Sequence, residues 1–147
     1  MQISTYSRYG LRAIIRLAII SNNNEKELVS IKEIAAIENI SVKYLEAIFT
    51  TLKKGKILQS VKGKSGGYRL AKKPDDISVF DILEILDGEI TLLCCIDNKD
   101  ECVNSITNCT VYGFWKTLDT AIKDILKNKT LQNFIDEQQK EKLNYII

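Results

Sequence analysis

The 147-residue chain has no histidine, one proline, one methionine and one tryptophan. Without histidine it lacks the side chain most often used as a general base near neutral pH. No glycine-rich phosphate loop opens a helix, and no nucleophile stands beside a base, so an enzymatic site finds no support. With a single proline, seven glycines and no low-complexity run, nothing reads as a long linker or a disordered tail. No segment reaches the roughly 18 apolar residues that a spanning helix needs. The opening MQISTYSRYGLRAIIRLAII does not read as a signal peptide, because Arg12 and Arg16 interrupt its apolar residues and no small-residue cleavage site follows. A cytoplasmic location is therefore expected. No internal repeat stands out. What is present is 45% apolar residues, enough for one domain or a small domain with an appendage.

Acidic residues are scarce in one half. Residues 1–73 carry 14 Lys/Arg against 5 Asp/Glu, whereas residues 74–147 carry 7 against 14. Between Lys53 and Lys73 there are eight basic side chains and no acid. Such a block is ordinarily a solvated face, but a one-sided field is also what a polyanion-binding half requires.

Tyr6, Tyr9, Ala13 and Leu17 keep a helical rhythm to Ile20, with NNNEKE reading as the loop that breaks it. Ser30 and Glu33 form a capping-box pattern before a short helix carrying Ile31, Ile34 and Ala35. Asn39 suits a left-handed stop, and Ser41 caps a second helix with Leu45, Ile48 and Leu52 inward, ending at Gly55. Two helices joined by so short a turn form either a helical hairpin within a bundle or a helix-turn-helix. ILQSV then alternates as a strand does, KGKSGG is a turn, and YRL returns. Together these predict a mainly α fold with a small β-wing, in which Lys62, Lys64, Arg69 and Lys72 ride DNA phosphates. Ser78 and Asp81 cap a further helix that Gly88 stops. Val111, Trp115, Leu118, Ile122 and Ile125 recur at spacings of 4, 3, 4 and 3, the seam of a helix packed on a partner helix, with Phe114 and Ala121 in a second row. Thr130 caps a last helix bearing Leu131, Phe134 and Ile135.

ISTYSRYGLRA, ISVKYLEAIFTTLKKGKIL, VKGKSGGYRLAKKPDDISVFDIL and FWKTLDTAIKDIL resemble the bacterial regulator family that includes IscR, NsrR and CymR. The likeness covers nearly the whole chain, and YLE and GGY are its most specific parts. It implies a homodimer of winged-helix domains, joined by the long helix and bound to palindromic double-stranded DNA. By the same resemblance Lys43, Glu46 and Ala47 meet base edges, and Lys62 reaches the adjacent groove. Residues 43, 46 and 47 do share one helix face, opposite Leu45, Ile48 and Leu52. The DNA-contacting set so expected is Ser41, Lys43, Tyr44, Glu46, Ala47 and Lys53 on the recognition helix, and Lys62, Lys64, Ser65 and Arg69 in the wing. The expected organisation is a DNA-binding domain over 1–88, a cysteine-bearing loop over 89–110, and dimerisation and C-terminal helices over 111–147.

All four cysteines fall in CCIDNKDECVNSITNC, and Cys95, Cys102 and Cys109 follow the pattern C-x6-C-x6-C. Thiolates are soft ligands suited to iron–sulfur clusters, zinc or copper(I), although compact zinc sites ordinarily use closer pairs. The resemblance implies a cluster on these three, a 2Fe–2S form ahead of a 4Fe–4S form. Some relatives place a histidine three residues after the third cysteine; here Tyr112 stands there. Others take an aspartate from the first helix, where this chain has Arg8. The fourth ligand is then Cys94, Tyr112, an acid of the partner subunit or an exogenous group. A metal-free thiol sensor and a structural zinc site remain alternatives to cluster sensing. The function expected is a transcription regulator, a repressor, responding to cluster status and controlling cluster-assembly genes. Cysteine metabolism and the nitric oxide response are its alternatives.

Overall fold

A computed structural model of the chain describes residues 1–24, 27–97 and 109–146. Helix α1 (Thr5–Asn24) is the central element and buries Ser7, Gly10, Ala13, Ile14, Leu17, Ala18, Ile19 and Ile20. It starts at Thr5, one residue before its apolar rhythm begins at Tyr6, and Ser4 caps it: the Ser7 N–H donates to Ser4 Oγ at 3.0 Å. It also continues through Asn22–Asn24, whose composition predicts a loop.

Helices α2 (Ile31–Glu38) and α3 (Val42–Lys54) follow as a helix-turn-helix. Each start is capped by a serine, with Glu33 N donating to Ser30 Oγ and Tyr44 N to Ser41 Oγ, both at 3.2 Å. Between them Asn39 takes the left-handed conformation at φ 54°, which its short polar side chain tolerates. Gly55 follows α3 but keeps φ −75°, and Lys56 takes the left-handed turn at φ 61°. Glycine is needed at 55 for another reason. A Cβ there would lie 2.7 Å from Ile85 side-chain carbons.

Strands β1 (Leu58–Val61) and β2 (Gly67–Leu70) pair antiparallel, Leu58 opposite Leu70 and Val61 opposite Gly67. Val29, just before α2, bridges the other edge of β2 through reciprocal hydrogen bonds with Tyr68 at 2.8 and 2.9 Å. The wing is thus sewn to the start of the helix-turn-helix. A 3-10 turn, Pro74–Asp76, leads into α4 (Val79–Asp87), where Ser78 and Asp81 form the reciprocal capping box. The remaining helices are α5 (Cys94–Asp97), α6 (Tyr112–Asn128) and α7 (Leu131–Ile146).

One core joins α1, α2, α3, β1, α4 and the start of α7, with Phe49, Ile14, Leu17, Leu45, Leu52 and Leu131 fully buried. The Phe49 ring meets Tyr68 edge-on at 4.9 Å, which locks the recognition helix to the wing. Leu131 and Ile135 bring α7 back into this core, and hydrogen bonds Val79 N to Lys129 O and Leu131 N to Ile77 O tie its start to α4. No described helix is long and apolar enough to cross a membrane.

Candidate nucleic-acid interface and cysteine segment

Helix α3 turns one face outward. Ser41, Lys43, Glu46, Ala47, Thr50, Lys53 and Lys54 are exposed, while Leu45, Ile48, Phe49 and Leu52 are buried. Thr50, one turn beyond Glu46, belongs to this face and was absent from the expected set; following the i, i+4 row from Glu46 finds it. Ser41 uses its Oγ as the helix cap. Tyr44 is half-buried, its ring edge-on to Tyr6 and to Tyr9, each at 5.9 Å. The Tyr6 hydroxyl lies 2.9 Å from the Ala47 carbonyl and 2.8 Å from Thr51 Oγ1. Aromatic packing and hydrogen bonds from α1 therefore set how α3 projects Lys43, Glu46 and Ala47.

The wing tip exposes Lys62, Lys64 and Ser65. Between the tip and the start of α2 lies a groove of about 580 Å³ whose lining includes Lys32, Lys53, Lys62 and Lys64. The α2 N-terminus opens onto the same groove through Ser30 and Ile31, adding the positive end of a helix dipole. Arg69 stands differently. At the surface of the wing Glu27 pairs with it at 2.6 Å, and its Nε donates to Gln59, its cross-strand partner, at 3.0 Å. Burial first and the Glu46 charge second push the Tyr68 hydroxyl pKa up.

A buried ion cluster fixes the turn of the helix-turn-helix. Glu38 is 9% exposed and receives Arg12 Nη2 at 3.0 Å and Arg16 Nε at 2.6 Å, both from α1. Arg12 also donates to the Glu38 backbone carbonyl at 2.8 Å. In sequence Arg12 and Arg16 appear only as charges that interrupt an apolar run. Partners 22 and 26 residues apart leave no local pattern.

Of the cysteines, Cys94 and Cys95 open α5 and Cys109 stands just ahead of α6; all three are thiols, with Cys94 exposed and the others half-buried. Cys102 lies outside the described residues. Tyr112 begins α6, and its N–H reaches the Cys109 carbonyl at 3.4 Å. No group of three ligating side chains close enough to hold an ion occurs among the described residues. The donor set suits a soft centre, since the chain offers thiolates and no imidazole.

Helix α6 carries little of its own domain. Asp119 is its only buried residue among those described, while Val111, Phe114 and Ile125 are 50, 62 and 69% exposed. Trp115, Leu118 and Ile122 are half-buried. Leu126 packs toward Val79, Leu83 and Ile90 and holds α6 against α4.

A capped helix-turn-helix with an exposed basic recognition face, sewn to a glycine-tipped basic wing, defines a winged-helix, DNA-binding transcription regulator. Residues 3–137 match the family model Rrf2, described as iron-dependent transcriptional regulator. The chain is 30% identical to the HTH-type transcriptional regulator CymR of Bacillus subtilis, over 99% of this chain and all of that protein. It is likewise 30% identical to the regulator IscR of Vibrio campbellii, over 95% of this chain and 80% of that one. The solved structure of B. subtilis CymR, titled the global cysteine regulator, superposes with a TM-score of 0.75 at 29% identity, covering 93% of this chain and 98% of that one. That of T. potens IscR superposes at 0.72 with 29% identity, covering 96% and 90%. The chain belongs to the Rrf2 family of transcriptional regulators.

Proposed function

We propose that this regulator binds a palindromic operator as a homodimer and senses an iron–sulfur cluster held by Cys95, Cys102 and Cys109. The observation that carries the reading is the set of three evenly spaced thiols, with Cys109 adjoining the first turn of the helix that leaves its apolar face uncovered. In this reading α6 pairs with its copy through Val111, Trp115, Leu118, Ile122 and Ile125, burying the exposed Phe114 and Ile125. Pairing sets the distance between the two recognition helices, so a change at the start of α6 alters operator fit. Lys43, Glu46 and Ala47 read base edges; Lys53, Lys62, Lys64 and Ser65 contact the backbone. Arg69, at the surface of the wing beside Glu27 and Gln59, adds a further backbone contact when it exchanges that exposed carboxylate for a phosphate.

Bound through the three thiolates, a 2Fe–2S or 4Fe–4S cluster would supply a redox- and nitric-oxide-sensitive group, and its iron would complete its coordination from Cys94, Tyr112 or an exogenous ligand. Repression of cluster-assembly genes is the role this fits. The metal-free alternative is a reversible disulfide, favoured by the exposed thiol of Cys94. Anaerobic purification with absorption and EPR spectroscopy separates the two. A brown protein whose spectrum is lost in Cys102→Ser supports the cluster. A colourless protein that takes up no iron and sulfide refutes it.

A further inference from the structure

The segment that bears Cys94 and Cys95 is fastened to α6 by a buried carboxylate and one lysine. Leu92 N–H, two residues before the cysteine pair, donates to Asp119 Oδ1 at 2.9 Å. Asp97, two residues after it, receives Lys123 Nζ at 3.3 Å, and the same ammonium lies 2.9 Å from Asp119 Oδ2. Asp119 is the single buried described residue of α6, its side chain 6% exposed. A carboxylate withdrawn from water is costly unless its oxygens are partnered, and here each oxygen has a partner. Burial pushes the Lys123 pKa down, but the two aspartates outweigh it and hold the ammonium charged. Behind this pair Ile90 is buried with Val79 and Leu83, so the segment cannot lift without opening a small core.

The geometry has a mechanical consequence. Asp119 and Lys123 sit one turn apart, so they grip the chain on both sides of Cys94 and Cys95. Cys109 is joined to the first turn of the same helix, about 16 Å away along its axis at 1.5 Å per residue from Tyr112 to Lys123. A group that draws Cys95 and Cys109 together therefore acts on α6 at two separated points.

We propose that Asp119 and Lys123 are positioning residues that fasten the Cys94–Asp97 turn to α6 and transmit a change at Cys95 into that helix. The transmission rests on the cluster-sensing reading above; the fastening does not. Lys123→Met removes the cation, Lys123→Arg preserves it, and Asp97→Asn weakens the exposed half of the bridge, together with the Asp97 contact to Thr91, and is the variant least able to disturb folding.

The first measurement uses the metal-free full chain: the rate of Cys95 alkylation by iodoacetamide, followed by mass spectrometry, with hydrogen exchange at the Leu92 amide. Lys123→Met and Asp97→Asn should accelerate alkylation about two- to five-fold, the scale of a partly exposed ion pair, while Lys123→Arg stays near the parent rate. Unchanged rates in both Lys123→Met and Asp97→Asn overturn the fastening. The second measurement compares operator affinity before and after loading with ferrous iron and sulfide. Lys123→Met should acquire the parent cluster spectrum yet lose most of the affinity change. A Lys123→Met protein that keeps the full change overturns the transmission. If the parent chain takes up no cluster, the cluster-sensing reading and the transmission fall together, and the alkylation rates still decide the fastening.

Discussion

Replacing Glu38 with alanine should destabilise the domain by about 2 kcal/mol, a figure that follows from how the site is exposed. Truncating one partner of a fully buried ion pair costs about 3–5 kcal/mol, because the other charge is stranded away from water. Here the carboxylate is 9% exposed, but Arg12 and Arg16 are 51% and 32% exposed and can turn their guanidinium groups to solvent. Arg12 also keeps its bond to the backbone carbonyl of residue 38, which the substitution leaves in place. What is lost is the pair of charge-assisted contacts and the packing of the side chain between α1 and α2, nearer 2 than 4 kcal/mol. For a chain of this size about 2 kcal/mol lowers the Tm by about 4–8 °C. Thermal unfolding followed by circular dichroism, with guanidinium titration for ΔG, measures it. Combining Glu38→Ala with Arg16→Ala should show a coupling of about 1 kcal/mol. Additive losses, or a Glu38→Ala protein within about 0.5 kcal/mol of the parent, would refute the clamp.

Three further outcomes are expected. Phosphate contacts each contribute about 0.9 to the slope of log K against log salt, so Lys62→Ala, lost twice in a homodimer, should shallow that slope by about 1.8; an unchanged slope removes Lys62 from the backbone contacts. Glutamate at both Phe114 and Ile125, exposed in the single chain, should give a folded monomer by sedimentation with weakened operator binding, and a variant that stays dimeric places the seam elsewhere. Burial raises the Asp87 pKa, but the hydrogen bonds from Ser4 outweigh it and leave the carboxyl below its ordinary value. Its contribution to stability is thus present above about pH 4 and disappears as pH falls through the lowered folded value. Asp87→Asn should therefore differ from the parent in unfolding midpoint at pH 6 and converge with it near pH 2; a constant difference contradicts the assignment.

The helix-turn-helix was readable because its signals are local. Ser30, Asn39 and Ser41 each act on backbone groups within a few residues, and the KGKSGG turn fixes the wing by conformation alone. The capping box at Ser78 and Asp81 was legible for the same reason. What escaped depends on distance in sequence. The Glu38 clamp, the bridge from Val29 to Tyr68 and the Leu92 bond to Asp119 join residues whose proximity only the fold creates. Gly55 reads as a conformational stop, yet its φ is ordinary and its role is to admit Ile85. Asparagines 22–24 look like a loop by composition, but they extend α1 as an exposed last turn beyond the part anchored through Ile20. The pairing of Arg69 with Glu27 at the surface of the wing joins residues 42 apart and likewise leaves no local pattern.

The most direct test of the account is the Kd for an operator obtained by selection from random duplex, measured anaerobically at fixed salt. It is compared between protein loaded with ferrous iron and sulfide and the same protein after chelation. Cluster sensing predicts a difference of about 5- to 150-fold, the usual range of coupling between two sites, abolished in Cys102→Ser. Equal Kd values for the two forms, or a difference that persists in Cys102→Ser, would contradict it.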